Sequence, residues 1–150
     1  MSDNKFNIRV YGLLINNNNQ ILLSDEEING VRFIKFPGGG LEFGEGLKDA
    51  LKREFIEECD LAIEVTEHFY TTDFFVESVF GGGQLISVYY LVKPIGEMLF
   101  KISNCQYDFD GQDGISKQCF RFVAIDELSD NSLTFPVDKH VVKLLNNKFL

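Results

Sequence analysis

The chain has 150 residues, 45% hydrophobic and 25% charged, a composition that fits one folded domain and argues against a disordered chain. Fourteen Lys and Arg stand against 23 Asp and Glu, and the formal charge of −9 disfavours binding to nucleic acid or to anionic membranes. It still permits a small anionic substrate, provided that metal ions screen the site.

The first residues, Met1-Ser2-Asp3-Asn4-Lys5, lack the basic-then-apolar pattern of a signal peptide. No apolar run approaches a membrane span, so the expected location is the cytoplasm. Residues 6–15 are β-branched and aromatic enough for a strand. The Asn16–Asn19 run reads as a turn, because Asn tolerates left-handed backbone. Residues 20–23 return as a strand. Asn29-Gly30 is a turn signal, residues 31–36 form another strand, and Pro37-Gly38-Gly39-Gly40 is expected to stop it. Residues 46–59 place Leu47, Ala50, Leu51 and Phe55 at helical spacing. Residues 61–67 and about 69–80 read as strands, with a hairpin-type break at Gly81-Gly82-Gly83 and a strand over 84–93. Residues 103–118 read as a loop and 119–125 as a strand. Asp126 to Leu128 start a short helix or turn. A last helix runs from about Pro136 to about Asn146. Cys59, Cys105 and Cys119 have no paired spacing, so free thiols, buried or half-buried, are expected rather than disulfides or a zinc site. His68 and His140 have no partner spacing and read as structural or surface residues. The order implies one α/β (α+β) domain over 1–150, a mixed β-sheet with helices on its faces.

Residues 38–61, GGGLEFGEGLKDALKREFIEECDL, hold most of the chemistry. Glu54, Glu57 and Glu58 are spaced i, i+3, i+4 and share one helix face. On a helical wheel Glu54 and Glu58 fall in line with Leu47, Ala50 and Leu51, so acidic positions continue the stripe that should face inward. Like charges there repel and lose solvation. A bound hard cation, Mg²⁺ or Mn²⁺, would remove that penalty. A solvated acidic face is the ordinary alternative, and the upstream glycines argue against it because they let backbone approach a ligand closely.

The segment resembles the Nudix box, G-x5-E-x7-R-E-U-x-E-E-x-G-U, where U is bulky and aliphatic. Gly39 supplies the first Gly, Glu45 the first Glu, Arg53 and Glu54 the Arg-Glu pair, Phe55 the first U, Glu57 and Glu58 the Glu pair, and Leu61 the last U. Six identities at fixed spacing arise by chance in a chain of this length about once in 10⁵. Phe55 is aromatic where the pattern is aliphatic. Asp60 replaces a Gly that follows the helix, where left-handed backbone is wanted, so a slightly altered helix end is expected. Gly46 replaces a Ser or Thr that would cap the helix start.

The resemblance implies a Nudix-like α/β/α sandwich and a pyrophosphohydrolase. Such an enzyme cuts a nucleoside diphosphate linked to another moiety, using Mg²⁺ or Mn²⁺, by water attack on a phosphorus. It assigns the metal to Glu54, Glu57 and Glu58, catalysis to Glu57, Glu54 and Arg53, and a structural pairing to Glu45 and Arg53. Gly38, Gly39 and Gly40 would lie against the substrate. Asp110 and Asp113 in the 108–114 loop, and Glu42, are candidates for a base or further ligand. The aromatics of Phe69–Phe75 could stack on a nucleobase, although strands favour aromatics anyway. Many relatives are dimers, which makes a homodimer the family expectation. The competing readings are a catalytically weak Nudix-like nucleotide-binding or sensing domain, and an interaction module with a merely solvated acidic helix.

Overall fold

The computed structural model describes residues 4–79 and 81–150. Met1 to Asp3, where the leader-peptide reading begins, and Phe80, the end of one expected strand, lie outside the described residues. The architecture is mixed α+β, with two helices and two sheets among the described residues, and one of the sheets is itself mixed. No helix among the described residues is long and apolar enough to cross a membrane.

The chain divides into two compact units. The first holds β1 (Phe6–Leu14), β4 (Gly38–Gly40), α1 (Leu47–Cys59), β5 (Ile63–Thr71) and β6 (Gln84–Pro94). Its sheet has the order β4-β1-β6-β5, with β1 parallel to β6 and the outer strands antiparallel. The preceding strand ends at Lys35, as expected, and the glycines after it form a short strand of their own. Gly38–Gly40 pairs with Arg9–Tyr11, because side chains that would crowd β1 are absent. Helix α1 buries Ala50, Leu51, Phe55 and Cys59. Full burial of Phe55 stabilises this packing by about 2–3 kcal/mol.

The two strands expected over 61–67 and 69–80 are a single edge strand, Ile63–Thr71. The strand runs through His68, which lay between the two expected strands, with register shifts at Val65/Glu67 and His68/Tyr70. Beyond it, residues 72–79 are irregular, touching the sheet through the Glu77–Gln84 bridge and the Thr72 N–H bond to Ser87 O.

The second unit holds β2 (Gln20–Ile28), β3 (Val31–Lys35), β7 (Ser116–Ala124), a 3-10 turn (Ile125–Glu127) and α2 (Pro136–Phe149). Its sheet, β3-β2-β7, is antiparallel throughout. Asn29 and Gly30 have φ of 51° and 81°, as a two-residue turn between β2 and β3 requires. Strand β2 runs five residues past its expected end. Ser24, Asp25 and Glu26 are polar, and they are buried because neighbouring strands supply partners: Arg121 for Asp25 at 2.7 Å and Lys35 for Glu26 at 3.0 Å. Strand β7 likewise starts at Ser116, inside the expected loop, where Lys117 meets Glu27 at 3.4 Å. Helix α2 continues to Phe149, because Asn disfavours helix only weakly and Lys148 suits the negative end.

Candidate active site

Strand β4 and helix α1 build the site within the first unit. Gly39 pairs with Val10 of β1 and is buried. A Cβ built on it would come within 2.5 Å of Glu54 Cδ and Oε1, so the missing side chain is the space the Glu54 carboxylate fills. Gly38 is buried beside it, and Gly40 is half-buried with its carbonyl turned to Arg53.

The loop between β4 and α1 closes as a turn, with Glu45 N–H bonding Glu42 O at 3.2 Å. Gly44 takes a φ of 96°, which the third position of such a turn needs. The turn aims Glu45 at Arg53. Arg53 Nε donates to Glu45 Oε2 at 2.8 Å and Nη2 to Oε1 at 2.7 Å, a bidentate clamp. Glu42 N–H also donates to Glu45 Oε1, at 2.9 Å. Arg53 then reaches Gly40 O at 3.0 Å, Glu54 Oε1 at 3.0 Å and Glu57 Oε2 at 3.2 Å, with Glu42 Oε2 at 3.7 Å. One guanidinium therefore holds the Gly-rich strand, the loop and the helix together. The Arg53 hydrogen bond, reinforced by the Glu42 N–H, lowers the Glu45 carboxyl to a pKa of about 2. The same Glu45 contact raises Arg53 further above its already high value.

The glutamates are not equally placed. Glu54 is tucked in, with 13% of its side chain exposed; Glu57 is 57% exposed; Glu58 is half-buried. Among the described residues, no three Asp, Glu, His or Cys side chains converge into a group ready to hold a metal ion. Arg53 Nη1 bridges Glu54 and Glu57. The donor set nevertheless fits a hard divalent cation: carboxylate oxygens on consecutive turns of one helix, one of them cradled by Gly39. Helix α1 begins at Gly46 with no side-chain cap. It ends on Asp60 at φ 49°, ψ 41°, the left-handed conformation a Gly would take. The helix end therefore follows the path a Gly would give, and the expected alteration is absent.

The other candidates are scattered. Glu42 touches the Arg53 cluster but is exposed, and Asp110 and Asp113 are exposed in the second unit. In the aromatic run, Tyr70 donates to Asp73 at 2.7 Å, and Phe74 and Phe75 are exposed. Phe75 lines a hollow of about 440 Å³ with Asn4, Lys5, Phe6, Glu77, Gly83 and Gln84. His68 bonds Thr71 Oγ1 at 2.8 Å and lies edge-on to Tyr90, and His140 is half-buried in α2. Cys59 and Cys119 are buried, whereas Cys105 is exposed, because its segment is irregular and lies outside the sheet. Sequence reasoning missed the buried Asp25–Arg121 pair, whose members lie 96 residues apart and carry no local pattern.

The family model for the NUDIX domain matches residues 5–145. The chain belongs to the Nudix family. It is a hydrolase of the Nudix type, and the fold agrees with solved Nudix structures. A MutT structure from Aliivibrio salmonicida or Vibrio cholerae is 29% identical, with a TM-score of 0.62, covering 97% of this chain and all of that one. The E. coli ORF135 protein shares the fold at 18% identity and a TM-score of 0.70, covering 95% and 90% of the two chains. An ADP-ribose pyrophosphatase from Streptococcus suis shares it at 16% identity and a TM-score of 0.59, covering 93% and 87%. No curated protein sequence matches this chain. Nudix hydrolases generally use divalent metals.

Proposed function

We propose that residues 1–150 act as one cytoplasmic Nudix domain that hydrolyses a nucleoside diphosphate linked to another moiety, a nucleotide or nucleotide-sugar-type small molecule. The observation that carries this reading is the Glu54 carboxylate seated on Gly39, beside Glu57 and Glu58 and braced by the Arg53–Glu45 clamp. Glu54, Glu57 and Glu58 would hold Mg²⁺ or Mn²⁺. When bound, the ion supplies positive charge that polarises a phosphoryl oxygen and helps ionise the attacking water. Gly38, Gly39 and Gly40 would form the backbone that the diphosphate lies against; Gly40 is the open one of the three, with nothing closer than Arg9 Nη1 at 3.9 Å to its Cβ position. Arg53 keeps loop and helix in one arrangement. Glu57, the most exposed of the three, suits the role of proton acceptor, and Asp110 and Asp113 are the candidates outside the box.

The test is turnover of nucleoside triphosphates and nucleoside diphosphate derivatives, ADP-ribose and UDP-sugars included, with Mg²⁺ or Mn²⁺. At least one should be hydrolysed, and Glu57→Gln should abolish this with thermal unfolding unchanged. Binding without turnover would point to a sensing domain, and full activity in Glu57→Gln would remove that residue from the reaction.

A further inference from the structure

Within the first unit, one end of the sheet leaves apolar surface open. Phe6, Ile8 and Val10 alternate along β1 and so share one face. Val10 stands opposite Gly39, on whose side the Glu54 carboxylate sits, so this is the face that carries α1. Gln84, Ile86 and Val88 of β6 stand opposite the same three residues. Cover on this face thins toward the strand starts: Val10 and Val88 are buried, Ile8 and Ile86 are half-buried, and Phe6 is 65% exposed. The hollow of about 440 Å³ opens at that end, with Phe6, Phe75, Lys5, Glu77 and Gln84 among its walls.

Backbone contacts fix those walls. Ser78 N–H bonds Gly83 O at 2.8 Å, Leu85 N–H bonds Val76 O at 2.8 Å, and Gln84 N–H bonds Lys5 O at 3.0 Å, so the three segments around the hollow are tied to one another. Gly83 has a φ of 82°, and a Cβ there would stand 2.6 Å from Lys5 O, so only glycine lets this turn close on β1 so tightly. Phe75 is nonetheless 72% exposed. Two phenylalanines held open on a preformed hollow mark a surface that gains free energy when something covers it.

The polar groups among them select the occupant. Lys5 donates, Glu77 accepts, and the Gln84 amide does both. A flat ring with donors and acceptors around its edge meets the aromatic faces and these groups together. A hydrocarbon chain would strip water from Lys5 and Glu77 and offer them nothing in return.

Strand β1 also measures the distance to the carboxylate site. Gly40 pairs with Arg9, three residues beyond Phe6 and so about 10 Å along the strand. Leu41 N–H bonds Ile8 O at 2.9 Å, so the chain leaving the Gly-rich strand runs toward the hollow. That span is comparable with the reach of a nucleoside diphosphate from base to phosphate.

We propose that this hollow receives the nucleobase of the substrate, stacked against Phe6 and Phe75, while the diphosphate lies at Gly40 and the α1 carboxylates. This rests on the diphosphate hydrolysis proposed above.

The probes are the monophosphates of adenosine, guanosine, cytidine and uridine, with ribose 5-phosphate as the control that lacks a base. Each is titrated into the full chain while NMR follows the backbone amides of Phe6, Glu77 and Gln84. At least one nucleotide should shift these amides at concentrations where ribose 5-phosphate does not. Phe75→Ala should weaken binding of that nucleotide about 10-fold, and Phe75→Tyr, which keeps the ring, should restore it. With Mg²⁺ and the panel member that the wild type hydrolyses fastest, Phe75→Ala should raise KM about 10-fold and change kcat little, as loss of uniform binding does. Should Phe75→Ala fail to fold, Phe6→Leu removes the other ring, keeps its apolar bulk and carries the same expectation. No shift with any nucleotide, equal shifts with ribose 5-phosphate, or an unchanged KM in the variant overturns the proposal, and hydrolysis by the wild type then stands without it. Amide shifts with no panel member hydrolysed overturn the diphosphatase reading instead and keep the hollow as a nucleobase site.

Discussion

The Glu54 carboxylate occupies the place where a side chain on residue 39 would have to go, within 2.5 Å of where that Cβ would stand. Strand β4 and helix α1 can lie this close only because residue 39 is glycine. The contact joins the first Gly of the motif to the Glu that follows its Arg.

Gly39→Ala should therefore act on function more than on folding. The clash falls on the far end of a flexible side chain, so the overpacking cost should stay near the lower end of its usual range, about 1 kcal/mol. Glu54 must turn away, and metal-dependent turnover should fall by about 100-fold, because the displaced carboxylate would no longer meet the cation. Mn²⁺ titration should show weaker binding alongside. Unchanged Mn²⁺ affinity would detach Glu54 from the metal.

The Arg53–Glu45 clamp should survive strong acid. Glu45 has a folded pKa of about 2 against an ordinary 4.5, so its contribution is present above pH 4.5 and is lost as the pH falls through 2. A carboxyl NMR titration should place its midpoint near pH 2 in the wild type. In Arg53→Met the midpoint should climb most of the way back, with part of the depression kept by the Glu42 N–H.

At the other end of α1, Asp60 holds a left-handed conformation that costs a non-glycine residue free energy, next to the negative end of the helix. Asp60→Gly should raise stability by about 1 kcal/mol and Tm by about 2–4 °C, read by thermal unfolding. An unchanged or lower Tm would show that Asp60 makes a compensating contact.

Thiol chemistry should separate the cysteines. Burial, and then the neighbouring Asp25 charge, raise the Cys119 thiol above its usual pKa, and Cys59 is buried as well. Alkylation of the folded protein at neutral pH, read by mass spectrometry, should modify Cys105 first and the other two only on unfolding. Early loss of Cys119 would mean that its strand opens readily.

The candidate site segment could be read from the sequence because its geometry is local. The spacing from Gly39 through Glu45 to Arg53 and Glu54 lies within one strand, one turn and one helix, so covalent distance and helical pitch already bring those groups together. Helix positions and the Asn29-Gly30 turn follow from the same short-range rules. What the sequence left open were features decided by residues far apart in the chain. Ser24-Asp25-Glu26 looks too polar for a buried strand until Lys35 and Arg121 arrive to pair with it. Gly38–Gly40 looks like a break until β1 offers it an edge. How deeply each glutamate of α1 lies, and which of them Arg53 draws to itself, likewise had to wait for packing. Burial of a polar group is favourable only with a partner in reach, and for these residues the tertiary fold alone supplies the partner.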